Sequence, residues 1–437
     1  MFSKILIANR GEIAVRIIRA CKEMGITTVA VYSEADAEAL HVALADESFC
    51  IGPAPAASSY LDEARILSAA LVSGAQAIHP GYGFLSENAR FAQLCDQNGI
   101  VFIGPDAASM ELLGDKSRIK ARMKDAGLPV IPGTDVLPTL EDARAAAAEI
   151  GYPVMLKARA GGGGRGIRLV TGEDELENAY RSATAEGKSA FGDGAVYMEK
   201  FISPAKHVEF QIIADEAGGC VCLGERDCSI QRRHQKLVEE SPSPVVTRAE
   251  RDAIMEKVIY AVQSVHYVGA GTLEFLRGAD GSLYFMEMNV RLQVEHTVTE
   301  ALTGYDLVKW QIRIAAGIPL SFMQRDVRLN GCAIECRINA RMPGKVSFLH
   351  IPGGPFVRFD TFLVAGLTVS PHYDQLLGKL IVYAPTREEA LRKLHAALCE
   401  LVIDGVPNNI EEQIDIISDA RFKSGAYDLK FFEKEPS

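Results

Sequence analysis

The sequence lacks the features that would place it in several common classes of protein. Its nine cysteines are scattered and include no Cys-x-x-Cys pair, so neither a disulfide framework nor a zinc site is expected. No apolar stretch reaches the roughly 18 residues of a membrane helix, and the first residues hold too short an apolar run for a signal peptide. We therefore expect a cytoplasmic protein with no membrane partner.

Positive charge is also scarce. The chain has 46 lysines and arginines against 57 aspartates and glutamates, which gives a net charge of −11. A field of this sign repels nucleic acid, so no nucleic-acid partner is expected. Any anionic ligand must instead meet a local cluster of basic residues.

Two phosphate-binding motifs are absent as well. No Gly-x-Gly-x-x-Gly follows the first apolar strand, which argues against a nicotinamide-dependent dehydrogenase, and the glycine run at 161–166 has no Gly-Lys-Ser/Thr of a Walker P-loop. The run lies between two expected strands, with Lys157 shortly before it, and suits a mobile flap over a polyphosphate. A flexible surface hairpin would explain the glycines equally well.

A regular alternation of strands and helices is present from the start. Four short apolar runs, at 4–8, 28–32, 75–78 and 100–103, alternate with helical patterns, which predicts a parallel, doubly wound sheet. We predict a mixed α/β fold with a Rossmann-like N-terminal domain, a small separate unit and a final mixed segment. The expected segments are 1–114, a helical linker at 115–130, the small unit at 131–203, a core at 204–329 and a C-terminal domain at 330–437.

A hairpin signal occurs within 272–289. Taking Asp280-Gly281 as a two-residue loop places Glu274 opposite Glu287, with Asn289 on the same face. Two carboxylates and an amide oxygen are ligands suited to Mg²⁺ or Mn²⁺. If the register instead shifts by one residue, the glutamates face solvent.

From Glu287 to Glu295 polar and apolar residues alternate, which predicts one strand with a wholly polar face. That face would carry Arg291 and Glu295 beside the expected metal. The planar fork of an arginine matches an oxyanion such as bicarbonate, and a nearby glutamate can take its proton. A solvated strand face is the alternative.

The densest basic cluster is Gln-Arg-Arg-His-Gln-Lys at 231–236, which has acidic residues on both sides. A basic island in acidic surroundings favours a small anionic ligand such as phosphate over a long polyanion. An exposed charged loop is the alternative.

Six segments of the sequence match motifs of one known family. They are Ile-Ala-Asn-Arg-Gly-Glu-Ile-Ala at 7–14, His-Pro-Gly-Tyr-Gly-Phe-Leu-Ser-Glu-Asn at 79–88, Gly-Gly-Gly-Gly-Arg-Gly at 161–166, Glu-Arg-Asp-Cys-Ser-Ile-Gln-Arg-Arg-His-Gln-Lys at 225–236, Glu-Met-Asn-Val-Arg-Leu-Gln-Val-Glu-His at 287–296 and Glu-Cys-Arg-Ile-Asn-Ala at 335–340. Through these motifs nearly the whole chain resembles biotin carboxylase, a family of the ATP-grasp superfamily. The resemblance implies the ATP-grasp fold, in which 131–203 is a small mobile lid and 330–437 is a C-terminal mixed antiparallel-sheet domain.

The resemblance also implies a reaction. ATP phosphorylates bicarbonate to carboxyphosphate, which delivers CO₂ to biotin on a biotin carboxyl carrier protein. This is the first half-reaction of acetyl-CoA carboxylase, which forms malonyl-CoA for fatty acid synthesis, and it implies carboxyltransferase subunits as partners and a homodimer. Since no Ala-Met-Lys-Met biotinylation motif occurs, we expect a free-standing subunit. The alternatives are another ATP-grasp carboxylate–amine ligase, the carboxylase subunit of a different acyl-CoA or pyruvate carboxylase, and a non-catalytic nucleotide-binding subunit.

By the same resemblance, residues take roles at their positions in this sequence. ATP would contact Lys116, Lys157, Gly163, Gly164, Glu199, Lys200, Phe201, Ile202, His207, Gln231, His234, Glu274 and Glu287. Two Mg²⁺ or Mn²⁺ ions would bind Glu274, Glu287 and Asn289. Bicarbonate would meet Lys236, Arg291, Val294 and Glu295, with Glu295 as general base and Lys236 and Arg291 as catalytic cations. Arg337 would stabilise charge on the ureido oxygen of biotin, near a loop after Asn339 that is shorter than in many members.

Overall fold

The computed structural model describes residues 1–159 and 166–433, and within them leaves out the side chains of residues 116, 117 and 191. The chain forms two compact units. The first comprises residues 1–128, 206–275 and those from 287 onward, and the second comprises 129–205 and 276–286. The predicted lid at 131–203 falls within the second unit, and the predicted boundaries between the other domains stay predictions.

The N-terminal part of the first unit is a parallel sheet with helices between its strands. Its elements are β1 (Lys4–Ile7), α1 (Gly11–Glu23), β2 (Thr27–Tyr32), α2 (Leu40–Leu44), β3 (Glu47–Cys50), α3 (Glu63–Ser73), β4 (Ala77–His79), α4 (Ala89–Gln97), β5 (Val101–Phe102) and α5 (Ala107–Gly114). The strand order is β3-β2-β1-β4-β5, and every pairing is parallel. The predicted parallel sheet is confirmed. Strand β3 was not predicted, because its side chains lie half-buried or exposed and its residues form no apolar run.

Helix α1 shows why this part folds as it does. Ile13, Ile17 and Cys21 recur on one stripe of the helix and are all buried. They pack in one cluster with Ile5 and Ile7 of β1. Because this apolar stripe is buried against the sheet, α1 is held in place on the face of the sheet.

The second unit is a small layer of two helices on a three-stranded sheet. After α6 (Lys116–Asp125) in the first unit, it contains α7 (Leu140–Ile150), β6 (Val154–Ala158), β7 (Ile167–Val170), α8 (Glu173–Phe191) and β8 (Val196–Lys200). The order β7-β6-β8 is antiparallel throughout. Val154, Leu156 and Met198 are buried in its core, and Thr139 and Asp142 form a capping box that starts α7.

The remaining elements of the chain build a large antiparallel sheet and the helices around it. They are β9 (Ala205–Ala214), β10 (Cys220–Arg232), β11 (Gln235–Ser241), α9 (Arg248–Ser264), β12 (Gly269–Gly278), β13 (Leu283–Asn289), α10 (His296–Thr303), α11 (Leu307–Ala315), β14 (Cys332–Asn339), β15 (Gly344–Lys345), β16 (Phe348–His350), β17 (Val357–Thr361), β18 (Thr368–Val369), β19 (Leu376–Ala384), α12 (Arg387–Glu400), β20 (Val402–Asp404), α13 (Ile410–Ser418) and α14 (Ala420–Ser424). The order of the eight-stranded sheet is β13-β12-β9-β10-β11-β14-β19-β17. Strands β15 with β18 and β16 with β20 form two-stranded sheets.

Helix α10 lies on one face of the large sheet. Val298 of the helix is buried in a small apolar cluster with Ala333 of β14 and Ile381 of β19. Charged residues surround this cluster on the same face of the sheet, since Glu335 and Arg337 follow Ala333 at steps of two in β14. The start of α10 is therefore held where charged side chains of the sheet converge.

The predicted length of the loop in the metal hairpin was wrong. The Gly278 N–H donates to Ser282 O at 2.9 Å, so the loop has three residues, 279–281, and equal steps from it would set Glu274 opposite Met286. Along β13 the buried positions are Leu283, Phe285 and then Met288, three residues later, so the alternation between the two faces shifts by one residue. This irregularity returns Asn289 to the side of Glu274, which the turn alone would not have done.

The predicted strand from 287 to 295 was wrong beyond its third residue. Strand β13 ends at Asn289, and residues 290–295 connect it to α10 without helix or strand. The alternation of polar and apolar residues therefore comes from a connecting segment. Two of its polar side chains still reach charged residues of the large sheet, since Gln293 contacts Glu274 and Glu295 contacts Lys236.

Among the described residues, no helix is both long and apolar enough to cross a lipid bilayer.

Candidate active site

An ammonium group lies at the centre of the charged cluster. Lys236, the second residue of β11, has its Nζ 2.6 Å from Glu209 Oε2, 2.6 Å from Glu295 Oε1 and 3.2 Å from Glu274 Oε1. Burial opposes the charge on Lys236, but the three carboxylates raise its pKa well above the usual range. Lys236 is therefore a fixed cation with anions on three sides.

The carboxylate of Glu274, in β12, contacts hydrogen-bond donors from several parts of the chain. Its Oε1 accepts from Asn289 Nδ2 at 2.8 Å and from Gln293 Nε2 at 2.9 Å, while its Oε2 lies 3.1 Å from His207 Nε2. The His207 Nδ1 in turn lies 2.8 Å from Gln231 Nε2. Burial would raise the pKa of Glu274, but Lys236 and His207 hold it well below the usual range, so this carboxylate is ionised.

Glu295 joins the central lysine to an arginine of the neighbouring strand. Its Oε2 accepts from Arg337 Nη2 at 2.8 Å, and Arg337 Nε donates to Glu239 Oε1 at 2.6 Å. Against the effect of burial, Lys236 and Arg337 hold the pKa of Glu295 well below its usual range. Burial raises the pKa of Glu239 to about 8 in spite of Arg337, and its Oε2 has no hydrogen-bond partner.

A second arginine supports the cluster from within the sheet. Arg226 of β10 is fully buried, and its guanidinium donates to Glu209 Oε1, to Gln211 Oε1 and to Gln293 Oε1 at 2.7, 2.7 and 2.6 Å. It also donates to the hydroxyls of Thr272 and Thr299. Because Arg226 neutralises Glu209 on the side away from Lys236, three carboxylates can share one ammonium.

Replacing Arg226 with methionine is expected to lower the free energy of unfolding of the first unit by about 3 kcal/mol. The change leaves buried Glu209 with one cation and leaves four polar side chains without this donor. Urea unfolding followed by tyrosine and tryptophan fluorescence measures the effect. Arg248→Met removes an exposed arginine and is the control. A midpoint for Arg226→Met equal to that of the control would contradict the expectation.

Arg291 and Val294 lie at the border of the cluster. The Nε of Arg291 lies 3.2 Å from Glu87 Oε2, and its Nη1 donates to Leu292 O at 3.2 Å. About a quarter of the Arg291 side chain is exposed, so its fork can still meet an anion from solvent. The carbonyl oxygen of Val294 accepts from Lys379 Nζ at 3.0 Å.

The basic cluster at 231–236 divides at the turn between β10 and β11. Gln231 and Lys236 point into the site, whereas Arg232, Arg233 and His234 are exposed. Arg232 forms an ion pair with Glu412. The interpretation of this segment as a site for a small anionic ligand stays a prediction, as does the expected contact of His234 with ATP.

The second unit holds its own set of predicted ATP residues. Lys157 Nζ of β6 lies 2.5 Å from Glu199 Oε2 of β8, and Lys200 Nζ donates to the carbonyl oxygens of Gly151 and Tyr152 at 2.8 and 3.1 Å. The Phe201 N–H donates to Pro153 O, and Ile202 directly follows. Gly163, Gly164 and the side chain of Lys116 lie outside the described residues.

The predicted metal ligands are brought together in part. Within the described ranges, two groups of potential ligands are close enough to hold an ion: His207 with Glu209 and Glu274, and Glu209 with Cys228 and Glu295. Glu287 belongs to neither group, while Asn289 contacts Glu274 directly. Hard carboxylate and amide oxygens on Glu274, Glu287 and Asn289 fit Mg²⁺ or Mn²⁺ better than a soft metal. The assignment of these ligands stays a prediction.

Several members of the cluster were not predicted from the sequence. They are Glu209, Arg226, Glu239, Gln293 and Lys379. One signal was available, since His207, Glu209 and Gln211 alternate with apolar residues along β9 and so share a face. The others come together only through pairing between distant strands.

Three family models match successive parts of the chain. Residues 1–110 match the biotin carboxylase N-terminal domain, residues 115–323 the ATP-binding domain of the carbamoyl-phosphate synthase L chain, and residues 335–434 the biotin carboxylase C-terminal domain. The chain belongs to the biotin carboxylase family. The predictions of the family, of the ATP-grasp fold and of an ATP-dependent ligase are confirmed.

Individual relatives of the biotin carboxylase family match over the full length. The biotin carboxylase of Haemophilus influenzae is 52% identical and covers 100% of this chain and 99% of its own. A biotin carboxylase from Campylobacter jejuni, solved with a β-γ-ATP complex, is 46% identical with a TM-score of 0.94 and covers 99% and 98%. The biotin carboxylase domain dimer of 2-oxoglutarate carboxylase from Hydrogenobacter thermophilus, solved with MgADP, ADP and bicarbonate, is 49% identical with a TM-score of 0.92 and covers 99% and 97%.

Proposed function

We propose that this chain uses ATP and bicarbonate to carboxylate biotin on a biotin carboxyl carrier protein, with carboxyphosphate as intermediate. The observation that carries the proposal is the contact of Glu295 with both Lys236 and Arg337. Glu295 thus lies between a cation suited to the bicarbonate anion and a guanidinium suited to the ureido oxygen. A carboxylate–amine ligase would have no need of this second cation.

In the proposed reaction, Lys236 and Arg291 bind bicarbonate as fixed positive charges and the Val294 backbone orients it. Glu295 then takes the bicarbonate proton, so that the freed oxygen attacks the γ-phosphorus of ATP and ADP leaves. Because Lys236 and Arg337 hold the pKa of Glu295 low, its carboxylate is ionised, which is the form that can accept a proton.

After carboxyphosphate forms, its C–O bond to phosphate breaks to give CO₂ and phosphate, and the ureido nitrogen of biotin attacks CO₂. The released phosphate takes the proton of that nitrogen, and Arg337 stabilises the negative charge that develops on the ureido oxygen. Lys157, Glu199, Lys200, Phe201, Ile202, His207, Gln231 and His234, with Lys116, Gly163 and Gly164, would hold the nucleotide. Glu274, Glu287 and Asn289 would hold two Mg²⁺ or Mn²⁺ ions, which supply charge neutralisation for the ATP phosphates when bound.

The proposal extends to the assembly. The Hydrogenobacter thermophilus relative is a dimer, which supports a homodimer here. Carboxyltransferase subunits would complete an acetyl-CoA carboxylase that supplies malonyl-CoA. The nine cysteines are all free, which fits a reducing compartment such as the cytoplasm.

The deciding experiment measures ADP release by the purified chain with ATP and Mg²⁺, adding bicarbonate and free biotin first separately and then together. We expect a strong rise in turnover only when both are present. If biotin has no effect while an amine or another carboxylate raises turnover, the chain is a different ATP-grasp ligase.

A further inference from the structure

One buried cation near the site has no part in the reaction above. Lys379 of β19 is 0% exposed, and its Nζ donates to Val294 O at 3.0 Å and lies 3.1 Å from Glu12 Oε1. Burying an ammonium is costly unless it is paired and hydrogen-bonded. Both partners of Lys379 are specific atoms, so the ammonium holds one geometry.

The register of the sheet relates Lys379 to the candidate active site. In the antiparallel pair of β14 and β19, Lys379 lies directly opposite Arg337, so both side chains project from the same face. Arg337 contacts the carboxylate of Glu295, and Lys379 contacts the carbonyl of the preceding residue, Val294. Two neighbouring cations therefore bind two successive residues of a segment that has no helix or strand of its own.

The counter-ion of Lys379 is itself fixed. Glu12 is 4% exposed in the first turn of α1, and its Oε1 accepts from the Tyr82 hydroxyl. Further acidic groups face Lys379, since Asp360 lies opposite it in β17 and Lys379 acts electrostatically on Glu335. Acidic residues of α1, β14 and β17 thus lie near this lysine.

We propose that Lys379 is a positioning residue that fixes the Val294–Glu295 peptide, and through it the place of the Glu295 carboxylate, with Glu12 as its counter-ion. The inference rests on the proposed function for its link to catalysis, but the positioning itself does not depend on which reaction the site performs. A displacement of about 1 Å in a reacting group can lower a rate about 100-fold.

Lys379→Met tests the proposal, because methionine keeps the length of the side chain and removes the donor. We expect kcat to fall about 10- to 100-fold and the KM for bicarbonate to rise at least about fivefold, while the KM for ATP stays within about twofold. Lys206→Met is the matched control, since Lys206 is also buried and paired, with Asp227, but projects from the face of β9 opposite to Glu209. The Lys206→Met variant should be less stable than wild type, with kcat nearly unchanged.

Hydrogen exchange of the ligand-free protein separates positioning from chemistry. The amides of residues 290–296 should exchange at least about tenfold faster in Lys379→Met than in wild type or Lys206→Met, whatever reaction the chain catalyses. Glu12→Gln should show a smaller increase, and it carries the test if Lys379→Met does not fold. Unchanged exchange in the folded variants would overturn the proposal. Faster exchange together with no bicarbonate-dependent turnover of wild type would uphold the positioning and reject the proposed reaction.

Discussion

Replacing Glu295 with glutamine is expected to lower kcat for bicarbonate-dependent ADP release by about 10²- to 10⁴-fold and to leave the KM for ATP nearly unchanged. The amide keeps the shape of the side chain but cannot take the bicarbonate proton. Lys236 keeps Glu209 and Glu274 as partners, and Arg337 keeps Glu239, so neither cation loses its last counter-ion. Initial rates at several concentrations of ATP and bicarbonate measure both constants.

The matched control for this change is Glu225→Gln. Glu225 is also fully buried and pairs with an arginine, Arg251, at 2.6 Å, but it lies one residue from Arg226 and so faces away from the cluster. Its replacement should cost stability and leave kcat close to that of wild type. A kcat for Glu295→Gln within threefold of the control would show that Glu295 is not the proton acceptor.

Arg337→Met is expected to lower the biotin-dependent part of turnover by about 10²- to 10³-fold, because the guanidinium is the donor placed to stabilise charge on the ureido oxygen. ATP binding should persist, since none of the predicted nucleotide residues depends on Arg337 for a hydrogen bond that the structure describes. The pKa of Glu239 is already about 8, so this buried carboxylate can take up a proton when its arginine is removed. ADP release with and without free biotin, together with nucleotide titration, measures both effects.

Arg387→Met is the control for this change. Arg387 pairs with Glu240, the residue after Glu239 in β11, which points to the opposite face of the strand. Glu240 accepts from Arg387 Nε at 2.6 Å and from its Nη2 at 3.0 Å, so the control removes the arginine partner of an equally buried carboxylate. We expect Arg387→Met to keep its biotin-dependent turnover. Equal losses in Arg337→Met and Arg387→Met would mean that the effect is one of stability and that Arg337 has no direct role.

Local patterns in the sequence predicted the elements that depend on a single segment. The parallel sheet followed from apolar runs such as 4–8, and α1 followed from a stripe of buried residues that repeats every three to four positions. Such signals are sufficient because each element buries its own face. The family motifs extended the prediction to residues that share no local pattern.

The centre of the site could not be predicted from spacing alone. Taking Asp280-Gly281 as a two-residue loop gave the wrong loop length. Most of the alternation from Glu287 to Glu295 lies in a connecting segment whose side chains contact the sheet. Arg226 joins Glu209, Gln211 and Gln293, which are distant in sequence, and a fully buried arginine has no sequence signal that separates it from an exposed one. Pairing between strands decides these contacts.

The charged residues come from six strands that are neighbours in the sheet, in the order β12, β9, β10, β11, β14 and β19. With strands about 4.8 Å apart, the five intervals between Glu274 at one end and Lys379 at the other give a row of Cα positions about 24 Å long that runs across the strands. The spacing between hydrogen-bonded strands, which is a constant of backbone geometry, therefore sets the spacing of these Cα positions. Long side chains bridge it, since Lys236 Nζ of β11 lies 3.2 Å from Glu274 Oε1 of β12, three strands away. Insertions in exposed turns such as 216–218 would leave that spacing unchanged, whereas loss of one strand would shorten the row by a full interval.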